Sequence, residues 1–302
     1  MDFPDEVYDV PDLFYARKLT NGPTKPFAVY CSEGDLIERL FPDQQTRNNY
    51  GITFALSPTS SNFSILVDNI SRTVSFERYN SLVVPHIGSR LPFSMRANDH
   101  SALRKVVECA ANFDRHLKRS GEDMRNIWME LREVEFEPGS SDAAHQTPRN
   151  MGRNLFENDI ALAPVDRLFS LAIFNQTSLA LYPHVFYLDP SELSISAWYT
   201  PAIGGRPGKS GLVDPPMLPK SVLTLGYGDT ATEPWIFGLR PGENVDVGFF
   251  KVFFTTSPSD FSSLLQDSPF TAVSRAGQPN KPSSPMAEFW GTKIATVIHK
   301  KL

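Results

Sequence analysis

The longest apolar run of the chain, residues 245–256, is the feature that most constrains the fold. It reads VDVGFFKVFFTT and carries apolar residues at both odd and even positions. Because successive side chains of a strand point to opposite faces of a sheet, this run is apolar on both faces. Burial on both faces is typical of a strand in the middle of a sheet, so the run predicts a central β-strand.

Shorter strand-like runs fill the rest of the second half of the chain. They are separated by segments that contain proline and glycine, and helix-length periodic segments are not visible between them. An antiparallel sandwich therefore fits this half better than alternating strands and helices. The other predicted strands are 127–136, 168–175, 184–188, 193–198, 222–227, 235–239 and 294–299.

The first 95 residues predict an extended N-terminal segment followed by a small β module. Pro4, Pro11, Pro23 and Pro26 punctuate residues 1–26. Proline makes up 25 of 302 residues in the whole chain, about 8% against an average near 5%, and this favours strands and loops over helices. The strand-like runs of the module are 27–31, 50–56, 63–67, 73–76 and 82–86.

One amphipathic helix is predicted over residues 99–119. Asn98 or Asp99 can cap its beginning, and Gly121 suits its end. Charged residues occupy one side, as in a helix that lies on a sheet with its other side in water. The apolar stripe, at spacings of three and four, consists of Leu103, Val106, Val107, Ala110, Phe113 and Leu117.

These patterns predict a mainly β fold, an antiparallel β-sandwich with one amphipathic helix packed on it and a small N-terminal β module. The expected division assigns residues 1–95 to the N-terminal segment and module, and residues 96–302 to the helix and the sandwich. The polar stretch near 137–154 has no periodicity, so it is expected to form a flexible loop.

Charge and composition argue against several classes of partner. The net charge is −5 and no basic run is interleaved with aromatic residues, so nucleic acid is not an expected partner. No apolar run reaches about 18 residues and the N-terminus is acidic, which predicts a cytoplasmic protein and disfavours membrane contact. Cys31 and Cys109 are too few for a disulfide framework and are expected to be free thiols.

The sequence contains no recognisable catalytic, metal or cofactor motif. The segment IGGRPGKS at 203–210 imitates the end of a P-loop, but Ile203 stands where that loop needs glycine and Pro207 removes a backbone amide. The six histidines show no ligand spacing, and neither cysteine lies in a setting that activates a thiol. We therefore predict no cofactor, no metal and no enzymatic activity.

Two groups of residues are candidates for a site. Trp198, Tyr199 and Trp235 lie at strand ends, where aromatic residues either bind a partner or ligand or close the end of the core. Lys251 lies inside the most apolar run, where burial of an unpaired ammonium would be costly. We expect Lys251 to be buried and paired with a carboxylate from another segment, with Asp189 as the candidate, and to act mainly as a structural anchor.

Six segments carry a family resemblance. They are VECAANFDRHL at 107–117, LYPHVFYLD at 181–189, LTLGYG at 223–228, VDVGFFKVF at 245–253, DFSSL at 260–264 and SPF at 268–270. In this order the chain, from about residue 97 to its end, resembles the region that follows the caspase-like domain in fungal caspase-domain proteins of mushroom-forming species. The peptidase motifs are missing, and Cys109 does not correspond to the catalytic cysteine. The resemblance implies an accessory region without the peptidase.

Three functional hypotheses follow. The first is a noncatalytic interaction or regulatory module with a protein partner, related to the accessory region of caspase-like proteins. The second is a β-sandwich that engages a ligand or a membrane through the three aromatic residues. The third is a hydrolase whose site is assembled from residues distant in sequence.

Overall fold

The computed structural model describes residues 25–137, 147–201, 216–271 and 290–301. The segment that imitates a P-loop lies outside the described residues, as do residues 1–24 of the N-terminal segment. Residues 138–146 of the loop expected near 137–154 also lie outside them, and a two-residue strand occupies Asn150–Met151 within that stretch.

The predicted mainly β class is confirmed. The strands are β1 (Phe27–Cys31), β2 (Ile52–Phe54), β3 (Phe63–Asp68), β4 (Thr73–Arg78), β5 (Arg90–Arg96), β6 (Glu122–Asp123), β7 (Ile127–Glu135), β8 (Asn150–Met151), β9 (Phe156–Glu157), β10 (Ile160–Pro164), β11 (Leu168–Asn175), β12 (Tyr182–Asp189), β13 (Ser194–Tyr199), β14 (Val222–Leu225), β15 (Trp235–Ile236), β16 (Val245–Thr255) and β17 (Trp290–Lys300). The helices are α1 (Gly34–Leu40), α2 (Gln44–Tyr50), α3 (Val84–Ile87) and α4 (His100–Lys118).

The described strands form three sheets. Sheet A has the order β2-β1-β3-β4-β5. Sheet B has the order β13-β12-β16-β17-β10-β9, with β6 also beside β17, and sheet C has the order β14-β11-β7-β8, with β15 beside β11. The longest apolar run is thus a central strand, since β16 lies between β12 and β17. Most pairs in sheets B and C are antiparallel, whereas β17 pairs in parallel with β10 and β6.

Sheets B and C form the predicted sandwich around one hydrophobic core. Alternate residues of β16, including Phe250 and Val252, meet side chains such as Leu131 and Phe169 from sheet C. Gly248 is required in this strand, because a Cβ there would lie 1.9 Å from the hydroxyl of Tyr187 on the neighbouring strand. The alternation of the long run therefore defines one face of β16 as the sandwich face.

Sheet A differs from the predicted β module in its helices. The chain forms α1 and α2 between β1 and β2, and β1 then pairs in parallel with both β2 and β3. The predicted strand at 82–86 is wrong, because the chain forms α3 there. The sequence did not indicate α1 and α2, since each has only seven residues and α2 buries no side chain that could produce an apolar stripe.

Helix α4 matches its prediction and packs between sheets A and B. Asp99 caps it by accepting a hydrogen bond from the backbone N–H of Ala102. The predicted stripe is buried, and α4 contacts both β1 of sheet A and β13 of sheet B. A second hydrophobic core joins sheet A, α4 and the outer face of sheet B. This core contains residues from both sides of the division expected near residue 95.

Within the described ranges, no helix is long and apolar enough to cross a membrane.

Candidate functional site

Lys251 lies on the face of sheet B that meets α4. The odd-numbered neighbours Phe249 and Phe253 belong to the core with sheet A, as the alternation predicts. Lys251 is only 3% exposed, and its ammonium donates a hydrogen bond to the carbonyl oxygen of Leu117 at 3.2 Å. That carbonyl lies in the last turn of α4, so the ammonium also lies near the negative end of the helix dipole, where a positive charge is stabilised.

The expected pair between Lys251 and Asp189 is not formed. Alternation along β12 places Asp189 on the same face as Tyr187, which packs in the sandwich core, whereas Lys251 projects from the opposite face of sheet B. The carboxylate of Asp189 instead accepts the backbone N–H groups of Ser191 and Glu192 at 2.8 and 3.0 Å. Asp189 therefore stabilises the turn after β12.

A cavity of about 590 Å³ lies beside Lys251, between sheet A, the second half of α4 and sheet B. Small-molecule sites in proteins usually measure roughly 300–1,000 Å³, so this cavity could enclose a small organic molecule. Much of its wall is apolar. Its apolar side chains include Phe27, Phe63, Phe113, Leu117, Leu193 and Ile294.

Arg78 is a second buried cation on the cavity wall. It ends β4, is 6% exposed, and donates from Nη1 to the carbonyl oxygen of Pro190 at 3.0 Å. Its Nε has no hydrogen-bond partner within the described part of the chain. Burial lowers the pKa of Arg78 to about 10, while the nearby carboxylates of Asp246 and Asp189 favour its charged form. These two acids therefore partly balance Arg78.

Within the described segments, Lys251 has no carboxylate partner among the remaining charges on the cavity wall. Asp114 and Lys118 pair with each other across one helical turn, at 2.8 Å. Burial lowers the pKa of Lys251 to about 8, and the charge of Arg119 acts in the same direction. The lining charges outside the Asp114 pair are Arg78, Lys251, Lys293 and Asp159.

The three aromatic residues that are candidates for a site, Trp198, Tyr199 and Trp235, are partly buried and pack against the sandwich core. The indole of Trp198 lies 5.1 Å from the ring of Trp235 and 5.1 Å from the ring of Phe250, and its N–H donates to the carbonyl oxygen of Glu233. Tyr199 packs against the same core. The structure therefore places these side chains at the end of the core, on the face of sheet B opposite Lys251.

The two thiols lie in surroundings that make them poor nucleophiles. Burial raises the pKa of Cys31 and raises that of Cys109 to about 11. Both groups are therefore protonated at neutral pH, and the thiolate is the reactive form. No three His, Cys, Asp or Glu side chains of the described segments are grouped so that they could hold a metal ion.

The sequence did not indicate Arg78 or the cavity. Arg78 follows Val74 and Phe76 on the buried face of β4, but an arginine at the end of a strand is usually solvated. Here the chain at Pro190, directly after β12, accepts its hydrogen bond. The cavity is bounded by segments from residue 27 to residue 294. The one available signal was Lys251, a charge inside an apolar run.

We compared the chain with protein-family models, with curated proteins and with solved structures, and none of the three comparisons found a match.

Proposed function

We propose that this protein is a noncatalytic, regulatory binding module whose small ligand occupies the cavity between sheet A, α4 and sheet B. One observation carries the proposal: the buried ammonium of Lys251 lines the cavity and, among the described residues, has a carbonyl but no carboxylate as its partner. Buried charges are normally paired, so a lysine in this position favours a ligand that completes its surroundings.

A purely structural role for Lys251 accounts for only part of this arrangement. An ammonium has three N–H donors, and the carbonyl of Leu117 uses one of them. The ring of Phe253 lies 5.9 Å away and adds a weak cation–π attraction. In the part of the chain that the structure describes, the remaining donors have no hydrogen-bond partner that would compensate for their lost hydration. An apolar side chain could fill the same place at lower cost.

Noncatalytic action is proposed because the raised pKa values of both thiols argue against a cysteine nucleophile. A hydrolase of another kind is less supported, since buried His184 has no hydrogen-bond partner on either ring nitrogen among the described residues. Ligand or membrane binding through Trp198 is also less supported, because this ring is partly buried against the core and its N–H already donates to the carbonyl oxygen of Glu233.

The biological setting is a further part of the proposal. The six resembling segments are the support for a regulatory role beside a fungal caspase-like protein. The two free cysteines support a cytoplasmic location, because thiols stay reduced there.

Binding of a neutral fluorescent probe tests the proposed function. We expect N-phenyl-1-naphthylamine to bind saturably, with about one molecule per chain, as a single cavity requires. Ala110→Phe should abolish this binding, because Ala110 is buried and lines the cavity. Ala102→Phe, on the same helix but outside the cavity lining, is the matched control and should bind as the parent does.

Circular dichroism would establish that both variants are folded. Absence of saturable binding, or binding that survives Ala110→Phe in a folded protein, would contradict the proposed function.

A further inference from the structure

The cavity wall combines buried cations with apolar side chains, which are direct neighbours: Lys251 is the cross-strand partner of Ile294, and Arg78 that of Phe63. Lys251 in β16 and Arg78 at the end of β4 supply its buried cations. The apolar part comes from aromatic rings of sheet A, from α4 and from β17, through Phe27, Phe63, Phe113 and Ile294 among others. A ligand that satisfied both parts would need an anionic group and an apolar body.

We infer that the ligand is an amphipathic monocarboxylate, with its carboxylate against Lys251 and its hydrocarbon body along the aromatic wall. This inference rests on the proposed function and names the chemical class of the ligand. A carboxylate can accept the N–H donors of Lys251 that Leu117 leaves free, and such charge-assisted hydrogen bonds are stronger than neutral ones.

The charge balance favours one negative charge over two. Asp114 is already paired with Lys118, and the other lining charges besides Arg78 and Lys251 are one acid and one base, Asp159 and Lys293. Asp189 and Asp246 favour the charged form of Arg78, although Asp246 also pairs with Arg240 at 2.6 Å. Lys251 is therefore the buried cation whose charge a ligand would neutralise. A dianion such as a phosphate monoester would bring a second negative charge beside one unbalanced cation, and burial of an unbalanced charge is unfavourable.

Arg78 supplies a secondary contact. Its Nε is buried on the cavity wall and has no partner in the described segments. A carboxylate oxygen is a good acceptor for this N–H. However, Nη1 of Arg78 already donates a hydrogen bond to the carbonyl oxygen of Pro190, so Arg78 also has a structural role. Lys251 is therefore the better position to test.

Competition among octanoate, 1-octanol and octylamine for the N-phenyl-1-naphthylamine site tests the inference. The three compounds share one hydrocarbon chain and differ in the charge of the head group. In the parent protein we expect octanoate to bind at least about tenfold more tightly than 1-octanol, because a buried charged hydrogen bond is involved. Octylamine should bind most weakly, because its ammonium would face Lys251.

Substitution of Lys251 identifies the source of this preference. Lys251→Met should bring octanoate and 1-octanol to similar affinities, with octanol binding retained. Lys300→Met removes an equal charge from β17 outside the cavity lining and should keep the parent preference. Lys251→Arg, which keeps a cation, should keep part of the preference.

The outcomes separate the inference from the proposed function. Equal affinity of octanoate and 1-octanol in the parent would overturn the monocarboxylate assignment while leaving the cavity as a ligand site, and this comparison needs no variant. An octanoate preference that persists in folded Lys251→Met would overturn it as well. Failure of every probe and competitor to bind would overturn the proposed function itself.

Discussion

Lys251 concentrates the chemistry of this molecule in one side chain. Its position in an apolar strand predicted a buried charge that needs a partner, and the ammonium is indeed enclosed. The partner could not be predicted, because Asp189 projects from the other face of sheet B and because the carbonyl of Leu117 belongs to a helix far away in sequence. The role of the three aromatic residues was also ambiguous, because the sequence pattern around an aromatic residue at a strand end is the same whether its ring is packed or exposed.

The protonation of Lys251 gives a testable pH dependence of ligand affinity. Its pKa of about 8 means that the ammonium is increasingly lost as the pH rises above this value, while octanoate stays ionised. Octanoate affinity should therefore fall between about pH 7 and pH 10, with the midpoint shifted upward by the bound carboxylate. Isothermal titration calorimetry would measure this fall, and 1-octanol affinity should stay nearly constant.

Several other charges face the same space, and Lys251→Met separates their effects from that of Lys251. Arg119 lies near Lys251. The other lining charges are Arg78, Asp114, Lys118, Asp159 and Lys293. An octanoate affinity that falls equally with pH in Lys251→Met would show that one of these groups, rather than Lys251, controls binding.

Gly248 gives a residue-scale test of the sandwich core. A methyl group at this position would overlap the ring of Tyr187, so Gly248→Ala should lower the free energy of unfolding by about 1–3 kcal/mol, as overpacking does. Gly238→Ala is the matched control, because no atom lies within 4 Å of a Cβ there. Urea titrations in which both variants match the parent would contradict the packing of β12 against β16.

At the scale of elements, sequence periodicity predicted the helices and strands that bury one regular face over several helical turns or several strand residues. Helix α4 has 19 residues and a continuous apolar stripe, and its capping residue was one of the two expected. Helices α1, α2 and α3 have seven, seven and four residues, too few for a periodic signal. The cavity could not be predicted at all, because an apolar side chain that lines a space leaves the same pattern as one that fills a core.

The apolar stripe of α4 should contribute strongly to stability. Leu103 is fully buried in the core that joins sheets A and B, so Leu103→Ala should lower the free energy of unfolding by about 2–5 kcal/mol. Lys105→Ala on the outer side of the same helix should change it by less than about 0.5 kcal/mol. Chemical denaturation would compare them, and equal stabilities would mean that α4 does not contribute its stripe to this core.

At the scale of the whole molecule, α4 and its core join the two parts that the sequence divided near residue 95. The division was reasonable from the sequence, because the proline-punctuated segment and the short strands before residue 95 differ in pattern from the long strands after it. The division does not include the shared core, because the sequence pattern of neither part indicates that α4 contacts both β1 and β13.

A shared core predicts that sheet A and the sandwich unfold together. All four tryptophans lie after residue 120, so their fluorescence reports on sheets B and C, whereas Cys31 lies in sheet A. In a Cys109→Ala background, thiol labelling of Cys31 and tryptophan fluorescence should give coincident urea transitions. Labelling of Cys31 at a clearly lower urea concentration would indicate two independent units.

The central claim is that the cavity beside Lys251 holds an amphipathic monocarboxylate, and a crystal structure of the protein grown with octanoate tests it most directly. The account predicts one ligand between sheet A, α4 and sheet B, with a carboxylate oxygen within hydrogen-bond distance, about 2.7–2.9 Å, of Lys251 Nζ and its chain against Phe63 and Phe113. Octanoate bound only elsewhere on the protein, with this cavity filled by rearranged side chains, would contradict it.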